Sequence, residues 1–466
     1  MFGKLCWDGG QKFALVAVVF LSSALSVQAQ GIAQAEKQYK IGIEKLNKGD
    51  SEGAIAAFDQ VIEYAIDDQG TNSGINRTKS GNEYVVLQNK WTINSVPRLA
   101  AAYYYRGVSH HKNGETEAAI SDYNRSLQIA PRSAETLFKR GVAWQEQAEF
   151  DAAIADYTQV IALVPRHATA YYNRGVAYFT QGKLEKALSD LDKAISYDSK
   201  LDWAYTYRAT IRLNRGELEA ALQDCTMAIK LNPKNASAYN NRAAILGRQG
   251  NIKQAIEDVN KAIAYEPKMV LAYTNRAALN AQLGKVEASL ADYEVAAKFA
   301  PGDGEIFNLR ASLLSSQGRW LEAMNEINHA LSLNPKLARS YLLRANILYA
   351  RNEIKKALVD YNQAIKLNPE LADAYMQRGN LYLGTEQFDL AIKDYEQTMR
   401  LSPDYVQAYA NRGLTLIMLG QVAKAESDFK RCYDLDPKMK EILAGRIIAA
   451  QQFRKRLEQN AHSSLR

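Results

Sequence analysis

The sequence predicts an all-α chain: an array of helical hairpins stacked on their neighbours, each a copy of one 34-residue unit. Three observations carry this. Steps of 34 from Pro97 reach Pro131, Pro165, Ser199, Pro233, Pro267, Pro301, Pro335, Pro369, Pro403 and Pro437, which accounts for all ten prolines. A second walk at the same spacing passes through Arg106, Arg140, Arg174, Arg208, Arg242, Arg276, Arg310, Arg344, Arg378 and Arg412. A third passes through Asp122, Asp156, Asp190, Asp224, Asp258, Asp292, Glu326, Asp360, Asp394 and Asp428. With the proline numbered position 32, ten full units fill residues 100–439.

Residues 1–29 differ in character from the remainder of the chain. Lys4 and Lys12 precede an apolar run from Phe13 to Leu25, and Val27-Gln28-Ala29 offers small residues where a signal peptidase reads. The segment is read as a secretory signal cleaved after Ala29. Its apolar run is too short to span a bilayer comfortably, and no cysteine succeeds it to take a lipid. The expected location is the periplasm or the extracellular side.

Residues 35–68 are a degenerate first unit. Gly42, Gly49, Ala54 and Phe58 keep positions 8, 15, 20 and 24, but Ile41 and Ala57 replace the arginine and the acid together. That joint loss indicates that the two positions interact. Residues 69–99 break the period and are read as an insert loop. It opens with a Gly-, Asn-, Ser- and Thr-rich stretch and carries Tyr84-Val85-Val86-Leu87 and Trp91-Thr92-Ile93. A loop of that length is uncommon in a compact array. It is either functional or a decoration whose aromatics pack on a helix nearby.

From Ala100 the units run without interruption. In residues 168–201, Tyr171, Gly175 and Tyr178 mark one face of a first helix, and Ala187, Leu191 and Ala194 one face of a second. Gly182 between them suits a turn at positive φ. Proline ends the second helix, because it breaks the hydrogen-bond ladder and restricts the residue before it. Small residues stand where the two helices must approach. Residues 440–457 restart the phase, with Leu443 at position 4 and Arg446 at position 7, and are predicted to form a capping helix. Residues 458–466 are read as a flexible tail.

At this point the chain resembles the tetratricopeptide-repeat (TPR) family over residues 35–457. Position 4 is Tyr in eight of the ten full units, position 8 is Gly or Ala in all ten, and position 20 is Ala in nine, with Ser289 the tenth. The resemblance implies an all-α, right-handed TPR superhelical solenoid of helical hairpins with a C-terminal capping helix, its first helices lining a concave face. In this family positions 2, 5, 9 and 12 line the groove. Here they give Tyr104, Phe138, Tyr172, Phe179 and Trp203 in the first full units, with Val108, Val142 and Val176. Asn240, Thr274, Asn308 and Ser312 come next. Asn346 and Asn380 come last, flanked by Leu342, Tyr349, Met376 and Leu383. The groove is therefore expected to be aromatic, then amide-lined, then aliphatic. Aromatics favour interfaces, and asparagines can hold an extended peptide's backbone. Chaperone-binding members use lysine at position 5, which no full unit has.

The arginine–acid series is read as scaffold. Positions 7 and 23 lie equally far from the hairpin turn, about 12 Å at ~1.5 Å per residue. They can pair within a hairpin or between neighbours. Arg446, which lacks an acid of its own, points to pairing with the previous unit's Asp428, and Arg106 points the other way.

The net charge of +7 on 466 residues is mild and evenly spread, which argues against nucleic acid as a partner. The basic stretch Arg446, Arg454, Lys455, Arg456 reads as a solvated face. Cys6 leaves with the signal, and Cys225 and Cys432 are read as small buried hydrophobes. No HExxH, phosphate loop, CxxC or GxSxG occurs, and of the five histidines only His110 and His111 are close, on different helix faces. No catalytic residue, metal or cofactor is assigned. The chain is read as a non-catalytic interaction scaffold or adaptor for a protein or peptide partner. Two alternatives accompany this reading. One is an accessory subunit of a separately encoded envelope enzyme or secretion complex. The other is a self-assembling structural protein, a homo-oligomer.

Overall fold

The computed structural model describes residues 30–70 and 96–464. The signal segment and residues 71–95 of the insert lie outside them. Among the described residues the structure is helical throughout, a solenoid of helical hairpins that divides into two compact units, Met1–Asn235 and Ala236–Arg466. The division falls between two 34-residue repeats.

In the first unit, α1 (30–47) and α2 (Ser51–Gly70) form the degenerate hairpin. Four full hairpins come after it: α3 (Val96–Lys112) with α4 (Thr116–Ile129), α5 (Ala134–Glu146) with α6 (Phe150–Leu163), α7 (Ala168–Thr180) with α8 (Leu184–Tyr197), and α9 (Asp202–Asn214) with α10 (Leu218–Leu231). Helix α2 runs to Gly70 and α3 begins at Val96, so both ends of the 69–99 segment are helical.

The second unit holds six full hairpins. They are α11 (Ala236–Arg248) with α12 (Ile252–Tyr265), α13 (Val270–Gln282) with α14 (Val286–Phe299), and α15 (Gly304–Ser316) with α16 (Trp320–Leu333). Then come α17 (Ala338–Ala350) with α18 (Ile354–Leu367), α19 (Ala372–Gly384) with α20 (Phe388–Leu401), and α21 (Val406–Met418) with α22 (Val422–Leu435). A final helix, α23 (Met439–Ser464), extends through most of the residues read as a tail. It seats Met439, Leu443 and Ala450 in a core with Leu414, Ile417, Phe429 and Cys432, and so covers the last hairpin. Ile442 and Ile448 of the same helix are exposed.

The hairpin closes because small residues let two backbones approach. The position-20 alanines are fully buried, and Ser289 in the same place donates to the Ala277 carbonyl at 2.7 Å. The position-8 glycines make room for the position-24 aromatic. A Cβ on Gly107, Gly141 or Gly379 would stand 2.8 Å from the ring of Tyr123, Tyr157 or Tyr395. This close approach ties the two helices of a hairpin together through one buried ring.

The turn between helices is set at position 15, which adopts positive φ. Gly182 has φ +72, and most units use glycine there. Three units do not: Ala148 (φ 60), Asn352 (φ 62) and Glu386 (φ 57). An L-residue in this conformation costs roughly 1–2 kcal/mol, less for asparagine. Part of that is offset, because a glycine adds freedom to the unfolded chain. Glu386→Gly and Ala148→Gly are each expected to stabilise by about 0.5–1 kcal/mol, measured as a higher thermal midpoint. A lower midpoint in both would refute the strain.

Candidate partner-binding faces of the first helices

The first helices present their variable side chains from a frame set by the arginine–acid clamp. The pairing is within the hairpin. Arg140 Nε and Nη2 donate to Asp156 at 2.8 and 2.6 Å, and Arg208 Nε and Nη2 to Asp224 at 2.9 and 2.6 Å. The same two-bond fork recurs at Arg106, Arg174, Arg242, Arg276, Arg344, Arg378 and Arg412. Two parallel charge-assisted bonds hold the guanidinium in one plane. In most units it also lies about 5.5 Å from the position-4 tyrosine ring, as Arg208 does over Tyr205 at 5.4 Å.

The third nitrogen reaches the hairpin before. Arg106 Nη1 donates to Asp59, Arg140 to Asn124, Arg174 to Thr158 and Arg208 to Asp192. In the second unit Arg276 reaches Asn260, Arg344 Asn328, Arg378 Asn362 and Arg412 Glu396. Every acceptor is at position 25. Each of these arginines therefore closes its own hairpin and links it to the preceding one. Burial alone would lower the Arg208 pKa, but hydrogen bonds to Asp224 and Asp192 raise it above its usual value.

This corrects one sequence reading and explains another. Arg446 donates to Asn411, not to Asp428, whose two oxygens are held by Arg412. Position 25 of the last hairpin is Lys430, so the acceptor series ends where the acid for Arg446 is also missing. At the other end, Asp59 is kept in the degenerate unit because the next hairpin's Arg106 uses it.

In the first unit the predicted groove residues fall into two groups. Tyr104 is only 7% exposed and donates to Glu135 at 2.7 Å. Burial, then that bond, pushes its hydroxyl pKa far up. It belongs to the packing between neighbouring first helices. Phe138, Tyr172 and Phe179 are half-buried, and Trp203 is 45% exposed. Phe138 stacks on His167 at 5.1 Å. Tyr207, at position 6, meets both Tyr172 (6.0 Å) and Phe179 (5.7 Å) edge-on. It completes an aromatic cluster the four-position rule did not include. Val108 and Val142 are half-buried and Val176 is buried.

In the second unit the amides mainly link helices. Asn240 and Asn308 are buried. Asn240 Oδ1 accepts from Asn275 at 2.8 Å, and Asn308 Oδ1 accepts from the Ser340 hydroxyl at 2.9 Å. Asn346 accepts from Tyr361 at 2.8 Å. Asn380 accepts from both Tyr395 (3.0 Å) and Asn411 (2.8 Å), while its NH2 group donates to Gln377. The expected role of these amides toward a peptide backbone therefore meets a competing internal use of all four amide oxygens. Met376 is buried in a core cluster, and Leu342, Tyr349 and Leu383 pack against core clusters. Thr274 is half-buried, and Ser312, Leu271 and Leu309 are exposed on first helices of this unit.

The two neighbouring histidines are each paired with a glutamate. His110 pairs with Glu115 at 2.5 Å and His111 with Glu146 at 2.7 Å. Among the described residues no three His, Cys, Asp or Glu side chains are placed to hold a metal ion, and no helix is long and apolar enough to cross a membrane. Cys225 and Cys432 are buried and unbridged.

Comparison with known proteins bears on the repeat itself. Tetratricopeptide-repeat models match residues 100–133, 138–200, 241–304 and 376–440, and a TPR-repeat model matches 209–250 and 345–385. No curated protein matches the chain. Solved structures with similar folds include a tetratricopeptide repeat protein from Parabacteroides merdae (24% identity, 50% of this chain and 93% of that one, TM-score 0.43). They also include yeast Tom70 (15% identity, 92% and 96%, TM-score 0.45) and the Cut9–Hcn1 hetero-tetramer of APC/C (12% identity, 90% and 96%, TM-score 0.49). The family-model matches together cover more than half of the chain, and the chain belongs to the tetratricopeptide-repeat family.

Proposed function

We propose that the protein is a non-catalytic scaffold that holds a protein partner on the first-helix faces of its hairpins, and that residues 1–29 export it to the periplasm or cell exterior. The observation that carries the binding reading is the aromatic cluster Tyr172, Phe179 and Tyr207, together with the half-buried Phe138 and the exposed Trp203. Phe138 packs on the position-24 ring of Tyr157, and Tyr172, Phe179 and Tyr207 pack against the core of their hairpins, yet each keeps part of its ring open to solvent. Large aromatics left half-open supply contact area at low entropic cost and are typical interface anchors. The mild overall charge favours a protein partner over nucleic acid.

The test is capture of partners from the exported fraction with wild type and with a Phe138→Ser, Tyr172→Ser, Trp203→Ser triple variant. Tyr104 is left intact, since a change there would disturb helix packing. The variant is expected to keep its helicity and to lose partner affinity by about tenfold or more, as removal of interface anchors does. Equal capture by both proteins would reject the first-unit face as the binding surface.

A further inference from the structure

Nine of the ten full hairpins carry the two-bond arginine fork; the hairpin 304–337 does not. Here position 23 is Glu326, one methylene longer than the aspartate used elsewhere. Arg310 Nη1 stands 3.5 Å from Glu326 Oε1, against 2.6–3.0 Å in the intact forks, and Arg310 Nε is buried with no hydrogen-bond partner. The methylene displaces the carboxylate from the plane in which two parallel bonds form.

The same hairpin departs from the pattern elsewhere. Phe307 replaces the position-4 tyrosine and packs edge-on against His329 at 4.4 Å. Its first helix is entered through Gly302-Asp303-Gly304, the only full unit with glycine at both flanking places. Gly304 is required where it stands, because a Cβ would come within 2.9 Å of the Ala330 carbonyl. The hairpin also leaves Leu309, Trp320, Leu321 and Leu333 exposed, the highest concentration of exposed large apolar side chains in any one full repeat.

We propose that hairpin 304–337 is the built-in yield point of the second unit, the place where its stack opens first. In a repeat array, stability is a sum of hairpin and nearest-neighbour terms, so one weak clamp localises opening instead of weakening the whole. Opening here separates the hairpins on either side within this unit and bares Ala311, Leu314 and Ile327, which are otherwise buried. Local opening of that kind places an apolar surface beside side chains already exposed on Leu309, Trp320 and Leu321.

The experiment is hydrogen exchange with mass spectrometry on the full chain, comparing wild type, Glu326→Asp and Asp292→Glu. In wild type the amides of α15 and α16 are expected to exchange at least tenfold faster than those of α11, α12, α17 and α18. Glu326→Asp, which restores the residue used in the other nine forks, is expected to slow exchange in α15 and α16 by fivefold or more and leave distant hairpins unchanged. Asp292→Glu, which copies the defect one hairpin earlier, is expected to speed exchange in α13 and α14. Uniform exchange across the internal hairpins, or faster exchange in Glu326→Asp, would overturn the proposal.

Discussion

Asp224→Ala is expected to destabilise the array by about 3–5 kcal/mol, the range for removing one partner of a buried ion pair. The aspartate side chain is 4% exposed and holds two guanidinium groups, Arg208 through both its oxygens and Arg212 Nη1 at 2.8 Å. Removal leaves Arg208 with Asp192 alone, on the neighbouring hairpin. Truncation therefore costs more than the net value of the pair, because two charges stay half-buried without their carboxylate. The measurement is thermal unfolding with local hydrogen exchange over α9 and α10, since a long array need not unfold in one step. An unchanged melt with unchanged local exchange would show that the clamp contributes nothing.

The second large effect is at Tyr395. Its side chain is fully buried, its ring occupies the space that Gly379 leaves by lacking a Cβ, and its hydroxyl donates to Asn380 at 3.0 Å. Tyr395→Ala is expected to cost about 3–5 kcal/mol through the cavity it opens. Tyr395→Phe keeps the ring and removes only the hydrogen bond, so it is expected to cost about 1 kcal/mol. Asn380 would keep its bond from Asn411 in that variant. Urea unfolding of the two variants separates the terms. Equal losses would show that the hydroxyl and not the ring holds the hairpin closed.

Much of this architecture is legible in the sequence because one unit is written ten times. Periodic Gly, Ala, Tyr and Pro identify hairpins without any need to guess tertiary contacts, and the joint loss of position 7 and position 23 in residues 35–68 points to their pairing. The direction of that pairing is not legible. Two antiparallel helices bring the positions level both within and between hairpins, and only the packed structure decides between them. The position-25 acceptors are hidden for a different reason. Asp59, Asn124, Thr158, Asp192, Asn260 and Glu396 share a hydrogen-bond acceptor, not an identity, so a search for repeated residue types passes over them. A search for repeated acceptors would find them.

The candidate site is less legible than the frame. The family resemblance assigns positions 2, 5, 9 and 12 to the groove, but it does not say how closely the next first helix approaches. Tyr104, Asn240 and Asn308 lie near enough to a neighbour to be buried and bonded, whereas Trp203 stays open. Tyr207 at position 6 joins the face because its ring lies against Tyr172 and Phe179. Helix α23 starts one residue nearer its proline than the later first helices, from α11 to α21, do; Leu443 sits in the core there, and Arg446 donates to Asn411 instead of to an acid.

The central claim is that the clamped hairpins present a protein-binding surface on their first helices. Photo-crosslinking tests it most directly, with a benzophenone amino acid placed in turn at Trp203, Phe138 and Leu271 on first helices and at Glu219, Lys253 and Val359 on the exposed faces of second helices. The account predicts one crosslinked partner from the first-helix positions and none from the second-helix positions. Crosslinks confined to the second-helix positions would contradict it.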